Sequence, residues 1–265
     1  MNRLDRFVVV LVFLVTFISA GIKWQGDNQP PRAAPERRPV PDLVPPAAAP
    51  ANPAPGRVRR PKLSEPSAAD PLSIIEIGAK VQHGSGTAFP VSDACVWMTA
   101  RHVIDGCLDV YLIPAYPATV AYAHPSADVA ILIAARRAPG VVLSGDPLQI
   151  GQDGFSFGFP AGKLGAAHGQ LMGRSRMQFN GRMSGVTPTL TWAEIRRVPD
   201  ELESLGGISG GPVFDEQGRL IGMHVGGSKR RGRTLSVAPE VLLEMRNILP
   251  PRSLLSVRPG TLGVA

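Results

Sequence analysis

Cysteine and histidine are scarce in this chain, and long apolar patterns of helical spacing are scarcer still. Among its 265 residues there are two cysteines and five histidines. Cys95 and Cys107 bracket His102, but two thiols and one imidazole fall short of a metal-ligand set, so no metal is expected. The two thiols are either a disulfide, if the chain reaches an oxidising compartment, or a pair of buried cysteines. Acidic residues are also in the minority. Lys and Arg number 28 against 21 Asp and Glu, giving a net charge of +7 and a pI near 10.0. That excess is scattered through Arg32, Arg37, Arg38, Arg57, Arg59, Arg60 and Lys62, and again through Lys229, Arg230, Arg231 and Arg233. No nucleic-acid module accompanies it, so no nucleic-acid partner is expected.

Proline, by contrast, is plentiful. Of 27 prolines, about half crowd between Gln29 and Pro71. Such a stretch cannot bury enough apolar surface to offset the entropy of ordering, and it reads as a linker over 26–70. Before it, Arg3 and Arg6 precede an apolar run from Phe7 to Ile22 of about 16 residues. A basic start followed by an apolar run is an export signal in form. Residues 1–25 are expected to be a helical membrane anchor or a cleaved signal peptide. Either leads to an exported protein with the rest of the chain outside the cytoplasm, facing the periplasm or exterior of a bacterium.

From Ile74 onward, short apolar runs are split by glycine and proline. Strands are expected at Ser73–Ile77, Gly86–Phe89, Cys95–Thr99, Val110–Ile113, Val129–Ile133, Gly154–Phe157 and Leu220–Val225. Many short strands with turn signals between them make an all-β sandwich or barrel. One helix is expected over Ala238–Leu249, opened by Pro239 and stopped by Pro250.

Three segments carry chemistry. Gly206 to Pro212 places Ser209 among glycines, where the backbone can bend to aim the amides of Gly207 and Ser209 at one developing oxyanion. Thr99 to Val103 runs an apolar strand into His102, which places an imidazole at a strand end, able to take and return a proton. Ser126 to Leu132 puts Asp128 at the head of an apolar strand, where a buried carboxylate needs a partner and can hold the second imidazole nitrogen. Asp105 and Asp109 lie too close to His102 in sequence to sit across from it without a tight reversal. His83, His124 and His168 fall in loop-like contexts and are expected to be solvated.

In the order His, Asp, Ser these segments resemble those of the trypsin-like serine peptidases, the superfamily that includes chymotrypsin, HtrA-type proteases and glutamyl endopeptidases. Gly84 to Phe89 and Gly158 to Pro160 are further pieces of the same kind. The resemblance covers roughly Ile74 to Ala238. It implies two six-stranded antiparallel barrels, about 72–145 and about 146–237, with His102, Asp128 and Ser209 in the cleft between them. It implies a serine endopeptidase acting on protein or peptide without cofactor, and it likens Cys95 and Cys107 to the disulfide that staples the histidine loop. Two departures are expected to matter. Ile208 stands where digestive relatives have an ion-pairing aspartate, so activation by a freed amino terminus is not expected. The chain after the barrels is too short for the PDZ domain of HtrA-type enzymes.

For specificity, His224 occupies the place where glutamyl endopeptidases and some viral proteases bind an acidic or amide side chain. With Val225, Gly226 and Gly227 it is expected to line the pocket for the residue before the scissile bond, favouring Glu or Gln. Glu203 competes as a pocket base that would select Arg or Lys instead. Two other readings stay open on sequence grounds: a catalytically idle protease fold kept as a tethered binding module, and a viral polyprotein-processing protease.

Overall fold

The computed structural model describes residues 7–12, 60–77, 85–113, 116–181, 183–227 and 232–248, the first of these segments by its backbone alone. Among them the chain is mostly strand, arranged in two sheets. The first sheet is a closed barrel of β1 (Phe7–Val12), β3 (Ser85–Ser92), β4 (Val96–Thr99), β7 (Ala130–Ala134), β6 (Tyr116–Ala123) and β5 (Asp109–Leu112), in that order round the ring. The strands of the second are β8 (Asp153–Gly158), β9 (Gly165–Gly181), β10 (Gly185–Val198), β11 (Pro212–Phe214), β12 (Leu220–Gly227) and β13 (Arg233–Val237). Their pairings also run round a ring, because β9 pairs with both β8 and β10. A short helix, α1 (Arg101–Ile104), follows β4, and α2 (Pro239–Ile248) packs on β12 after the second ring.

Apolar residues at successive strand positions explain the first barrel. Phe89, Trp97, Met98, Leu112, Ile131 and Leu132 are all buried in one core. Burying a side chain of this size contributes about 1.5–3 kcal/mol each. In the second barrel β8 alternates half-buried and buried residues along its whole length, the period of a strand with one face inward. Its interior is unusually polar. Ser175 Oγ meets Thr189 Oγ1 at 2.8 Å, Thr191 Oγ1 meets Ser175 Oγ at 2.9 Å, and Trp192 Nε1 donates to Ser236 Oγ at 2.8 Å. These four hydroxyls thus have partners, which removes the cost of leaving them unsatisfied.

Several expectations need correction. Phe7–Val12 is a strand, parallel to both β3 and β5, so the first barrel is not wholly antiparallel. Three successive valines fit a pleated surface, and an apolar run this short suits a buried strand as well as a helix. No helix among the described residues is long and apolar enough to cross a membrane; the rest of the expected anchor, like the tail after the helix, lies outside them. The strand β2 (Leu72–Ile77), expected in the first barrel, instead runs parallel to β9 of the second. Residues 60–70, which fall within the expected linker, lie against the second barrel. Leu63 N–H donates to Leu148 O at 2.8 Å, Arg174 Nε to Ser64 O at 2.5 Å, and Arg176 Nε to Asp70 O at 3.2 Å. Extended chain leaves its carbonyls unpaired, and the two arginines of β9 use them as acceptors.

No disulfide joins Cys95 to Cys107. Cys95 sits before β4, where Ala134 N–H donates to its carbonyl, while Cys107 follows α1 at the opposite end of that strand. The Cys107 thiol instead approaches Val103 O at 3.7 Å.

Candidate active site

β4 delivers the chain to Ala100, and the first turn of α1 carries His102 out of the barrel wall. Asp128 lies just before β7 and is fully buried, at 0% exposure. Its carboxylate grips His102 twice: Oδ1 accepts the His102 backbone N–H at 2.8 Å, and Oδ2 lies 2.7 Å from Nδ1. The backbone tether fixes the carboxylate whether or not the ring is charged, and the ring bond fixes the imidazole's orientation. Asp128 N–H in turn donates to Thr187 Oγ1 at 2.9 Å, tying this end of the first barrel to β10 of the second.

Ser209 comes from the other side, in the turn before β11. Gly86 is where the two sides meet: a Cβ there would lie 2.6 Å from a methyl of Val103 and 2.9 Å from Ser209 O. Thr87 N–H also donates to Ser209 O at 2.8 Å. Gly86 thus seats the residue after His102 and the residue Ser209 against one strand. Gly207 has φ of +103° and lies against Phe159 O, so only glycine fits. The amides around Ser209 are mostly committed: Gly206 N–H to Ser204 Oγ, Ile208 N–H to Leu205 O, Gly210 N–H to His224 O and Gly211 N–H to Ile208 O. Among the described residues no such partner is found for the amides of Gly207 and Ser209.

A cavity of about 370 Å³ opens beside Ser209. His224, Gly226 and Gly227 of β12 form part of its wall, while Val225 is buried and does not line it. Glu203 lines it too. Burial, and secondarily the nearby positive charge available to His102, push the His224 pKa down to about 4, so its imidazole is neutral at pH 7. Two residues of this wall carried no sequence signal. Arg197 of β10 pairs through Nε and Nη2 with both oxygens of Glu194, at 2.6 and 3.2 Å. Its Nη1 donates to Leu202 O at 3.1 Å and Glu203 O at 2.6 Å. One guanidinium therefore holds the chain just before the Ser209 turn. The residues precede Ser209 by little more than a dozen positions, and the course of β10 brings them to its cavity.

The sequence profile of the trypsin-like peptidase domain matches residues 84–223, more than half of the chain. The chain belongs to the trypsin-like peptidase family. Its class of activity is that of a serine endopeptidase. A search of curated proteins finds no match. Among solved structures, the Rv3671c protease in its inactive form is 25% identical, with a TM-score of 0.51, over 62% of this chain and 84% of that one. The same protease in another inactive-form structure comes from M. tuberculosis H37Rv and is 24% identical at a TM-score of 0.51, over 63% of this chain and 83% of that one. The HtrA-type protease AlgW, solved with a decapeptide, is 20% identical at a TM-score of 0.50, over 61% of this chain and 50% of that one.

Within this trypsin-like frame Ile208 is completely buried before the serine, at 0% exposure, and offers no charge to an inserted amino terminus. His124 and His168, expected to be solvated, are both engaged. His168 stacks on Phe155 with ring centroids 4.8 Å apart and meets Asp153 Oδ1 at 2.8 Å. His124 is buried in the loop leading to Asp128. His83 lies outside the described residues, as do Lys229 to Arg231. No group of three or more potential metal ligands occurs among the described residues.

Proposed function

We propose that this trypsin-like peptidase hydrolyses peptide bonds with Ser209 as nucleophile, His102 as general base and Asp128 as the residue that orients it. The observation that carries the proposal is the doubly tethered His102–Asp128 pair, an imidazole held by a fully buried carboxylate at 2.7 Å. Ser209 Oγ attacks the scissile carbonyl carbon while His102 Nε2 accepts its proton. The oxyanion takes up the amides of Gly207 and Ser209. Collapse breaks the C–N bond, His102 returns its proton to the leaving amine, and an ester on Ser209 remains. Water, deprotonated by the same imidazole, attacks that ester, releases the acid and restores the hydroxyl. No step requires a cofactor, and the buried Ile208 supports activity without insertion of a freed amino terminus.

The cavity beside Ser209 is proposed to receive a Glu or Gln side chain. A neutral His224 can donate one hydrogen bond to a carbonyl or carboxylate oxygen, and the Glu194–Arg197 pair neutralises itself. Of the two, the uncharged Gln side chain needs no counter-charge. Glu203 is the group that would instead attract Arg or Lys. Peptide substrates agree with the peptide carried by AlgW. Export is proposed from the sequence alone, on Arg3, Arg6 and the apolar run after them; with Phe7–Val12 in a strand, the helical form of that run is not carried forward.

The test is cleavage of a diverse peptide library by the full chain beside its Ser209→Ala variant. Cutting that is lost in the variant and clusters after Gln or Glu is the expected result. Clustering after Arg or Lys would transfer the pocket to Glu203. Equal cutting by both proteins would overturn the proposed nucleophile.

A further inference from the structure

The loop from His124 to Val129 carries Asp128 from β6 to β7 and is closed by His124 N–H donating to Val129 O at 3.0 Å. Pro125 and Ser126 stand exposed at its tip, yet the His124 ring is turned inward, with only 11% of its side chain exposed. Its Nδ1 faces two backbone amides of the loop at once, Ser126 N–H at 3.2 Å and Ala127 N–H at 2.8 Å. Both are donors, so Nδ1 must be the unprotonated acceptor and the proton sits on Nε2. Nε2 points at Glu244 Oε1 of α2, 3.4 Å away. Tyr122 meets the ring edge-on, with centroids 6.5 Å apart. From the other side Arg101, the neighbour of His102, donates through Nη1 to the carbonyls of His124 and Pro125 at 2.8 and 2.9 Å.

From this arrangement we propose that His124 is a positioning residue for the reaction: its Nδ1 gathers the two amides immediately before Asp128 and so sets where that carboxylate stands relative to His102. The proposal rests on the reading of His102, Asp128 and Ser209 given above. A buried carboxylate gripping an imidazole has little room to move, because its Oδ1 and Oδ2 meet the backbone N–H and the ring Nδ1 of His102 at once. Its own backbone must therefore be fixed, and between His124 and Asp128 the chain has only Pro125, with no N–H to offer, then Ser126 and Ala127. The His124 ring is the group that fixes both remaining amides. Arg101 adds a second brace from the turn that carries the base, so the His102 turn and the Asp128 loop are locked to each other as one unit. Glu244 is the outer tie, to α2.

The geometry separates the two ends of the ring. Asn places its Oδ1 as many bonds from the backbone as His places Nδ1, and an Asn side chain readily accepts the amides two and three residues on. His124→Asn should keep the loop while losing the tie to Glu244; His124→Leu should lose both. Steady-state cleavage of a peptide substrate is expected to show kcat at least about tenfold lower in His124→Leu with KM within about twofold, and His124→Asn within about twofold of the wild type in both. Proton NMR of the full chain reads the same point without catalysis. The deshielded Nδ1 proton shared by His102 and Asp128 should be present in wild type, Ser209→Ala and His124→Asn, and lost or shifted in His124→Leu.

Equal impairment of the Asn and Leu variants would overturn the proposal, as would a Leu variant with wild-type kcat and an unchanged resonance. Should His124→Leu fail to fold, His124→Asn decides alone: wild-type kcat supports the role of Nδ1 and a tenfold loss refutes it. If Ser209→Ala cleaves as well as the wild type, the nucleophile assignment fails, while the resonance in the His124 variants still tests the positioning of Asp128.

Discussion

The two barrels contribute to the site in opposite styles. The first supplies His102 and Asp128 from the rim of an apolar core, and the two are pinned to each other by two short hydrogen bonds. The second supplies Ser209 from a glycine-rich turn and surrounds it with a cavity walled by His224, Glu203 and the Glu194–Arg197 pair. Rigid placement suits proton transfer, whose geometry is the same for any peptide. A polar, partly open wall suits recognition, which varies with the substrate. The two tasks are thus assigned to separate barrels, with Gly86 and the Asp128–Thr187 bond as the seams between them.

The contrast is broken most severely on the first-barrel side. Asp128→Asn keeps the volume but gives His102 N–H and Nδ1 a neutral partner that presents a donor where an acceptor stood. A fall in kcat of about 10⁴-fold is expected, the size seen for this change in the serine protease triad that serves as the general template. Steady-state kinetics on any cleaved peptide checks it. A loss under tenfold would mean that the pair is structural.

On the second-barrel side the largest effect is on stability. The His224 pKa falls from 6.5 to about 4 on folding, through burial first and the charge of His102 second. As pH drops, the unfolded chain takes up this proton before the folded one does. The contribution of His224 is therefore complete above about pH 6.5 and is lost as pH falls toward 4, a loss on the order of 3 kcal/mol. Urea unfolding at pH 7 and pH 4.5 should show a steeper loss in the wild type than in His224→Gln. Parallel losses would place His224 in a wetter setting.

A smaller effect is expected at Arg197. Removing its guanidinium in Arg197→Ala strands Glu194 and frees the carbonyls of Leu202 and Glu203. KM should rise about five- to tenfold with a lesser change in kcat, because the wall loosens while the first-barrel pair is untouched. An unchanged KM would remove Arg197 from the recognition surface. The smallest effect concerns the cysteines. A reductant should leave Tm unaltered, whereas a disulfide would contribute roughly 2–4 kcal/mol and several degrees.

Legibility in the sequence followed the same division. In the first barrel β3, β4, β5 and β7 were readable as apolar runs, and His102 and Asp128 sit at the ends of such runs, whereas β6, largely exposed, gave no such signal. The Ser209 turn was readable from its glycines. The second barrel was largely hidden. β9 and β10 bury Leu171, Met177, Phe179, Leu190 and Trp192, but Ser175, Thr187, Thr189 and small residues such as Ala167 and Gly169 share the same inward positions and break up the apolar alternation. Glu194 and Arg197 were invisible for that reason, lying on a strand that did not read as one. His124 was misjudged because exposed Pro125 and Ser126 beside it look like solvent-facing loop. In Phe7–Val12 the composition suits strand and helix alike, and pairing with β3 and β5 decides between them.

The most direct test of the central claim is the site of covalent attachment of a serine-directed phosphonate, read by mass spectrometry on the intact chain and its fragments. The account predicts a single adduct on the fragment containing Ser209, absent from both Ser209→Ala and His102→Ala while all three proteins remain folded. An adduct on another residue, or equal labelling when His102 is replaced, would contradict it.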